Sequence, residues 1–143
     1  MSALATPVQK KQLNILLANE DRVFHQEFAY FCEHLRTDEH GNNSHFRMSH
    51  ALCGNSALAH LQVNKYDATV LRSSMPRRSA VLILEEMAGQ DYATPVIVLL
   101  DTDFKNGRLV RYLEMLGATP VFLPVDDNEL ASAIEFLADI NDE

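Results

Sequence analysis

Tyr66-Asp67-Ala68-Thr69-Val70-Leu71-Arg72-Ser73-Ser74-Met75-Pro76 carries a buried-strand pattern that ends in a polar loop and a proline. The sequence on either side repeats the same alternation of strand and helix. Leu13 to Ala18 is a continuous apolar run followed by Asn19-Glu20-Asp21, after which Val23, Phe24, Phe28, Phe31, Cys32 and Leu35 recur at helical three-and-four spacing. That reads as a strand, an acidic turn and an amphipathic helix. Thr37 to Ser44, with Gly41 and two asparagines, is a loop, and Phe46 to Leu52 alternates as a second strand should. Gly54-Asn55-Ser56 offers a turn and a cap, and Ala57, Leu58 and Leu61 form the apolar stripe of a short helix ending near Asn64-Lys65.

Beyond the quoted stretch, Ser79 to Ala88 returns to helical spacing through Val81, Leu82, Leu84 and Met87, and Gly89 is placed to stop it. Thr94-Pro95-Val96-Ile97-Val98-Leu99-Leu100 is an unbroken apolar run of the kind expected for a parallel strand covered on both faces. Asp101-Thr102-Asp103 closes it, and a helix from about Lys105 to Leu116 ends at Gly117. Val121-Phe122-Leu123 is a fifth strand, and Leu130, Ile134 and Leu137 mark a last helix. Five strand–helix units with short connections predict an α/β domain: a flavodoxin-like five-stranded parallel sheet with helices on both faces, (βα)5. Ligand sites on such sheets gather at the carboxyl ends of the strands.

At 143 residues the chain reads as one domain, long enough to bury roughly 68% of its unfolded surface. Residues 1–12 read as a disordered lead-in, 13–138 as the domain, and 139–143 as an acidic tail or the start of a linker. A net charge of −8 disfavours the phosphate contacts that drive nucleic-acid binding. Cys32 and Cys53 form no Cys-x-x-Cys pair and read as free thiols, and no run approaches a membrane span, so a cytoplasmic protein is expected.

Several separate segments together resemble the receiver domains of response regulators, over the span from Leu13 to Leu137. Asn19-Glu20-Asp21 falls where that family places its metal-binding acidic cluster. Gly54 with Ala57-Leu58, Tyr66-Asp67, Met75-Pro76, Thr94 to Val98 and Leu116-Gly117-Ala118 continue the match. The family's phosphoaccepting Asp lies four residues before the proline, which here is the position of Arg72. Leu100 falls at the hydroxyl position ending strand four, and Leu123-Pro124 lacks the lysine before the proline.

The resemblance therefore implies a pseudo-receiver, degenerate at its phosphorylation pocket: Asn19, Glu20, Asp21, Arg72, Leu100, Asp101, Leu123 and Pro124. Phosphoryl transfer to a carboxylate needs a nucleophile, a divalent cation and fixed donors for the phosphoryl oxygens. A guanidinium cannot accept a phosphoryl group, and its fixed charge opposes Mg²⁺, so neither metal nor cofactor is expected. Arg72 is expected to pair with Glu20 or Asp21 in place of the cation, and its removal to cost about 3 kcal/mol if the pair is partly buried, less if water enters.

The function expected is a phosphorylation-independent signalling module acting by protein–protein contact, alone or as the N-terminal regulatory domain of a longer regulator. Its partner is another protein, an output domain or a second copy. The candidate interface is the surface of the fourth helix, fifth strand and fifth helix, with Arg108, Arg111, Tyr112, Met115, Val121, Asp126, Asp127 and Glu129. The alternative is a small-molecule or anion sensor, or an enzyme, holding its ligand over Asn19, Arg72 and Asp101. No glycine-rich phosphate loop or dinucleotide fingerprint supports it. His40, His45, His50 and Cys53 fit no metal-ligand spacing and read as solvated or packing side chains. Ser73 and Ser74 read as loop polarity, and Asp101 and Asp103 as turn or cap formers.

Overall fold

The structure, a computed structural model, describes residues 12–36, 45–90, 94–101 and 107–141, with the backbone alone for 140 and 141. Five strands, β1 (Gln12–Ala18), β2 (His45–Ala51), β3 (Ala68–Arg72), β4 (Val96–Leu100) and β5 (Ala118–Phe122), alternate with five helices. These are α1 (Arg22–Tyr30), α2 (Gly54–Val63), α3 (Ala80–Ala88), α4 (Gly107–Met115) and α5 (Asp127–Asn141). The strands are parallel in the order β2-β1-β3-β4-β5, as expected of the flavodoxin-like arrangement.

Strand periodicity divides the core into two layers. Leu16, Leu71, Val98 and Leu100 face one way, against Leu58 and Leu61 of α2, Ile83 and Leu84 of α3, and Leu113 of α4. Leu13, Ile15, Leu17, Val70, Ile97 and Leu99 face the other way, against Phe28 of α1 and Leu130 and Ile134 of α5. All five residues of β4 are buried, which is why its sequence is apolar without alternation.

The boundaries depart from the sequence reading where a local feature intervenes. α1 passes into one π-helical turn, Phe31–Leu35, before Arg36 leaves the helix. β5 starts at Ala118 rather than Val121, because the strand runs through Pro120, which pairs across from Val98. A proline marks a break in sequence, yet an edge strand tolerates it with its nitrogen turned to the open side. α5 continues through the first residues of the segment expected as an acidic tail. The lead-in expected over 1–12, except Gln12, the loop 37–44 with His40, and residues Thr102 to Lys105 lie outside the described residues.

Two contacts fix the helices to this frame. The Arg36 guanidinium pairs with Glu135 on α5 and lies 4.9 Å from the centroid of the Phe46 ring. Only 5% of the Arg36 side chain is exposed, and 21% of that of Glu135. At the start of α2, the Gly54 N–H donates to the Pro76 carbonyl at 3.0 Å, bringing the helix against the β3–α3 loop. That loop holds Arg77 at φ 64°, a left-handed conformation that side chains other than glycine rarely adopt.

Candidate functional site

The sheet brings the ends of β1, β3, β4 and β5 to one rim. Leu99 pairs in register with Arg72, and the Ser73 N–H donates to the Leu99 carbonyl at 2.9 Å, so Arg72 and Asp101 leave neighbouring strands side by side. Nη2 of Arg72 donates to Oδ1 of Asp101. Arg72 Nε is buried and has no partner among the described residues.

The expected pairing of Arg72 with Glu20 or Asp21 is not what forms. Asp21 is the N-cap of α1, its Oδ1 accepting from the Val23 N–H at 2.9 Å, which engages the carboxylate with the helix end. Glu20 is exposed. The nearer acid, Asp101, takes the guanidinium instead of serving as the turn former its sequence suggests. Asn19 is buried and supports the turn: its Oδ1 accepts from the Asp21 N–H at 2.9 Å, and its own N–H donates to Ala51 at 3.0 Å. Leu100 is fully buried in the core, and the Leu123 N–H donates to its carbonyl at 2.7 Å. Leu123 is half-buried and joined to the exposed Pro124 by a cis peptide.

With 23% of the Arg72 side chain and 49% of the Asp101 side chain exposed, water screens the ion pair. Arg72→Ala is therefore expected to cost about 0.5–1 kcal/mol in urea unfolding, well below the figure a buried pair would give.

The arrangement places no carboxylate at the end of β3 itself, and Asp101 beside it is tied to the guanidinium. Receiver folds imply Mg²⁺ at these strand ends, but the donor set here does not fit that ion. A guanidinium stands at the end of β3, Asp21 is engaged as a cap, and no group of three or more His, Cys, Asp or Glu side chains converges among the described residues. Cys32 is held unreactive by burial, which pushes its thiol up to about 12.

On the candidate interface, Arg108, Arg111, Asp126 and Glu129 are exposed, and Met115 is the most open apolar side chain at 80%. Tyr112 is only partly presented, since its hydroxyl donates to Glu85 on α3; that bond raises its pKa. Val121 does not offer its side chain outward, because it packs on the layer under α1 and α5, and Phe122 is the exposed residue of β5. Asp126 accepts from the Asn128 N–H at 2.7 Å at the start of α5. Burial raises the Asp127 pKa, with the charges of Asp126 and Glu27 adding to it.

The sequence reading passed over a contact beside this rim, in which His25 of α1 meets His50 of β2. The helical spacing carried a signal for it: His25 precedes Phe28 by three and Cys32 by seven, which places it on the buried stripe.

No family model and no curated protein matches the chain. Solved structures do. The receiver domain of a Francisella response regulator is 24% identical, with a TM-score of 0.74 over 90% of this chain and 98% of that one. The receiver domain of a histidine kinase from Syntrophus aciditrophicus is 22% identical, with a TM-score of 0.70 over 89% and 90%. That of a Pseudomonas aeruginosa sensor histidine kinase, which holds a magnesium ion in its active-site cleft, is 18% identical, with a TM-score of 0.71 over 90% and 98%. The chain folds as these CheY-like receiver domains do.

Proposed function

We propose that this chain is a phosphorylation-independent signalling module of the receiver type. It acts in the cytoplasm by protein–protein contact rather than by catalysis, either alone or as the regulatory domain of a longer protein. The observation that carries this reading is the Arg72–Asp101 pair at the adjoining ends of β3 and β4. A fixed positive charge stands where the fold would need a nucleophilic carboxylate, and the pocket supplies its own counter-ion. Leu100 and Leu123 add to it, since neither can donate to a phosphoryl oxygen.

The contact surface in this reading is the α4–β5–α5 face, where Met115, Phe122, Arg108 and Arg111 are exposed. A partner or a second copy gains apolar area from the first two and orientation from the arginines. The sensor reading draws on the buried Nε of Arg72, which an anion could accept from. The guanidinium is already engaged by Asp101, and this favours the module.

The test is incubation with a small phosphodonor, or with beryllofluoride, in the presence of Mg²⁺. The expected result is an unchanged intact mass and unchanged amide shifts. An acyl phosphate on any carboxylate of the rim would overturn the proposal. Arg72→Asp alone should restore little reactivity, because the donors missing at Leu100 and Leu123 stay missing.

A further inference from the structure

His25 and His50 meet Nδ1 to Nδ1 at 2.7 Å, and Nε2 of His25 lies 2.7 Å from the Asn19 carbonyl oxygen. His25 is buried, with 6% exposed, while His50 faces solvent. A carbonyl oxygen only accepts, so Nε2 of His25 carries a proton. In the neutral ring its Nδ1 is then a lone pair, and Nδ1 of His50 must be the donor. The ring centroids are 4.9 Å apart at an interplanar angle of 69°. For so short a nitrogen separation, the two rings extend away from each other almost in line. That geometry suits a shared proton. A shared metal would instead need both lone pairs to converge on a third point.

We propose that His25 and His50 form a proton-gated latch that holds α1 against β2 and fixes the Asn19–Asp21 turn at the strand ends. In the closed, neutral pair one basic atom remains free, Nε2 of His50; a first proton entering there keeps the Nδ1–Nδ1 bond but places a charge on a partly buried ring, which burial opposes. A second proton has only Nδ1 of His25 to enter, where it meets the N–H of a charged ring. The nitrogens then repel, and the latch opens at the helix start that carries Asp21.

Among the described residues, few other charges compete at this place. Beside His50, β1 presents Leu17 and Ala18, and on β2 itself the neighbours are Ser49 and Ala51, none of them titratable. On α1 the residues one turn from His25 are Asp21, Arg22, Phe28 and Ala29. Arg22 is exposed and the Asp21 carboxylate caps Val23; Glu20 in the preceding turn is exposed. Phe24 stands edge-on to His25 with ring centroids 6.1 Å apart.

Burial, and after it the charge of His25, hold His50 below the usual imidazole range. The stability tied to a depressed histidine is complete above its unfolded value, near 6.5, and is lost as pH falls from there toward the lower folded value. The latch therefore weakens on acidification. It stands independently of whether the domain signals by contact.

The experiment compares wild type with His50→Gln, whose amide can donate to Nδ1 of His25 without titrating. Urea unfolding and imidazole and amide NMR shifts are followed from about pH 7.5 to about pH 5, the range in which histidine charge changes. In that window the wild-type unfolding constant is expected to rise more steeply than that of His50→Gln, by up to about tenfold per pH unit. The amides of Asn19, Asp21 and His25 should move with the two imidazoles. Equal pH dependence in the two proteins would overturn the latch. So would separate titration of His25 and His50 that leaves those amides still, a readout on the wild type that decides even if the variant fails to fold.

Discussion

Gly54→Ala is expected to lower the stability of the domain by about 3 kcal/mol, and the unfolding midpoint by roughly 6–12 °C. A methyl group on residue 54 would overlap the backbone carbonyl of Arg78, and would also sit 2.5 Å from the Arg78 Cβ. Backbone cannot step aside as a flexible side chain can, and this stretch is already constrained, with Arg77 at φ 64°. The Gly54 N–H to Pro76 bond ties the same two segments, so separating them also removes a buried partner from the start of α2. Gly107→Ala is the control. A Cβ there meets nothing within 4 Å among the described residues, and the change should stay within about 0.5 kcal/mol. Urea unfolding of both variants decides the matter: a wild-type midpoint for Gly54→Ala would mean that the close approach of α2 to the β3–α3 loop does not exist.

The second large effect is expected at Arg36. Arg36→Met keeps most of the aliphatic stem over the Phe46 ring but removes the charge facing Glu135, and it should cost about 3 kcal/mol. The reason is burial. Glu135 has 21% of its side chain exposed, so its carboxylate would lose a counter-ion where water can restore only part of its solvation. Replacing both partners, as Arg36→Met with Glu135→Leu, should return part of the lost stability, since neither charge of this pair is then left facing an apolar side chain. A double-mutant cycle measures this directly. Additive single effects would indicate that the two side chains do not act as a pair.

The difference between the two ion pairs shows what sequence could convey about this fold. The apolar run at Val96–Leu100 and the helix read from Ser79 to Ala88 follow from local periodicity and appear where their patterns place them, while of the stripe of α1 Phe28 is buried but Val23 and Leu35 are exposed. Arg72 was also legible, because its position is defined by the distance to Pro76. Its partner was not. The choice among Glu20, Asp21 and Asp101 depends on which carboxylate a helix end has already engaged, and on the register that sets Arg72 opposite Leu99. Arg36–Glu135 and His25–His50 join residues remote in sequence, through the packing of α1 on α5 and on β2. Neither pair leaves a motif, because the spacing that creates it exists only in the folded sheet. β5 was misplaced for a related reason: whether a proline breaks a strand or finishes its outer side depends on whether that strand has one neighbour or two.

Pro120 bears on polymerisation as well. A parallel sheet has two open borders, and a protein that offers both as templates can grow by strand addition into fibres. Here β5 is one border, and its proline withholds a donor that an incoming strand would require. The other border, β2, carries no proline. If two chains joined there, each would use the border without a proline, and the product would present a proline-bearing β5 at each rim to the next arrival. Growth by that route ends at a pair.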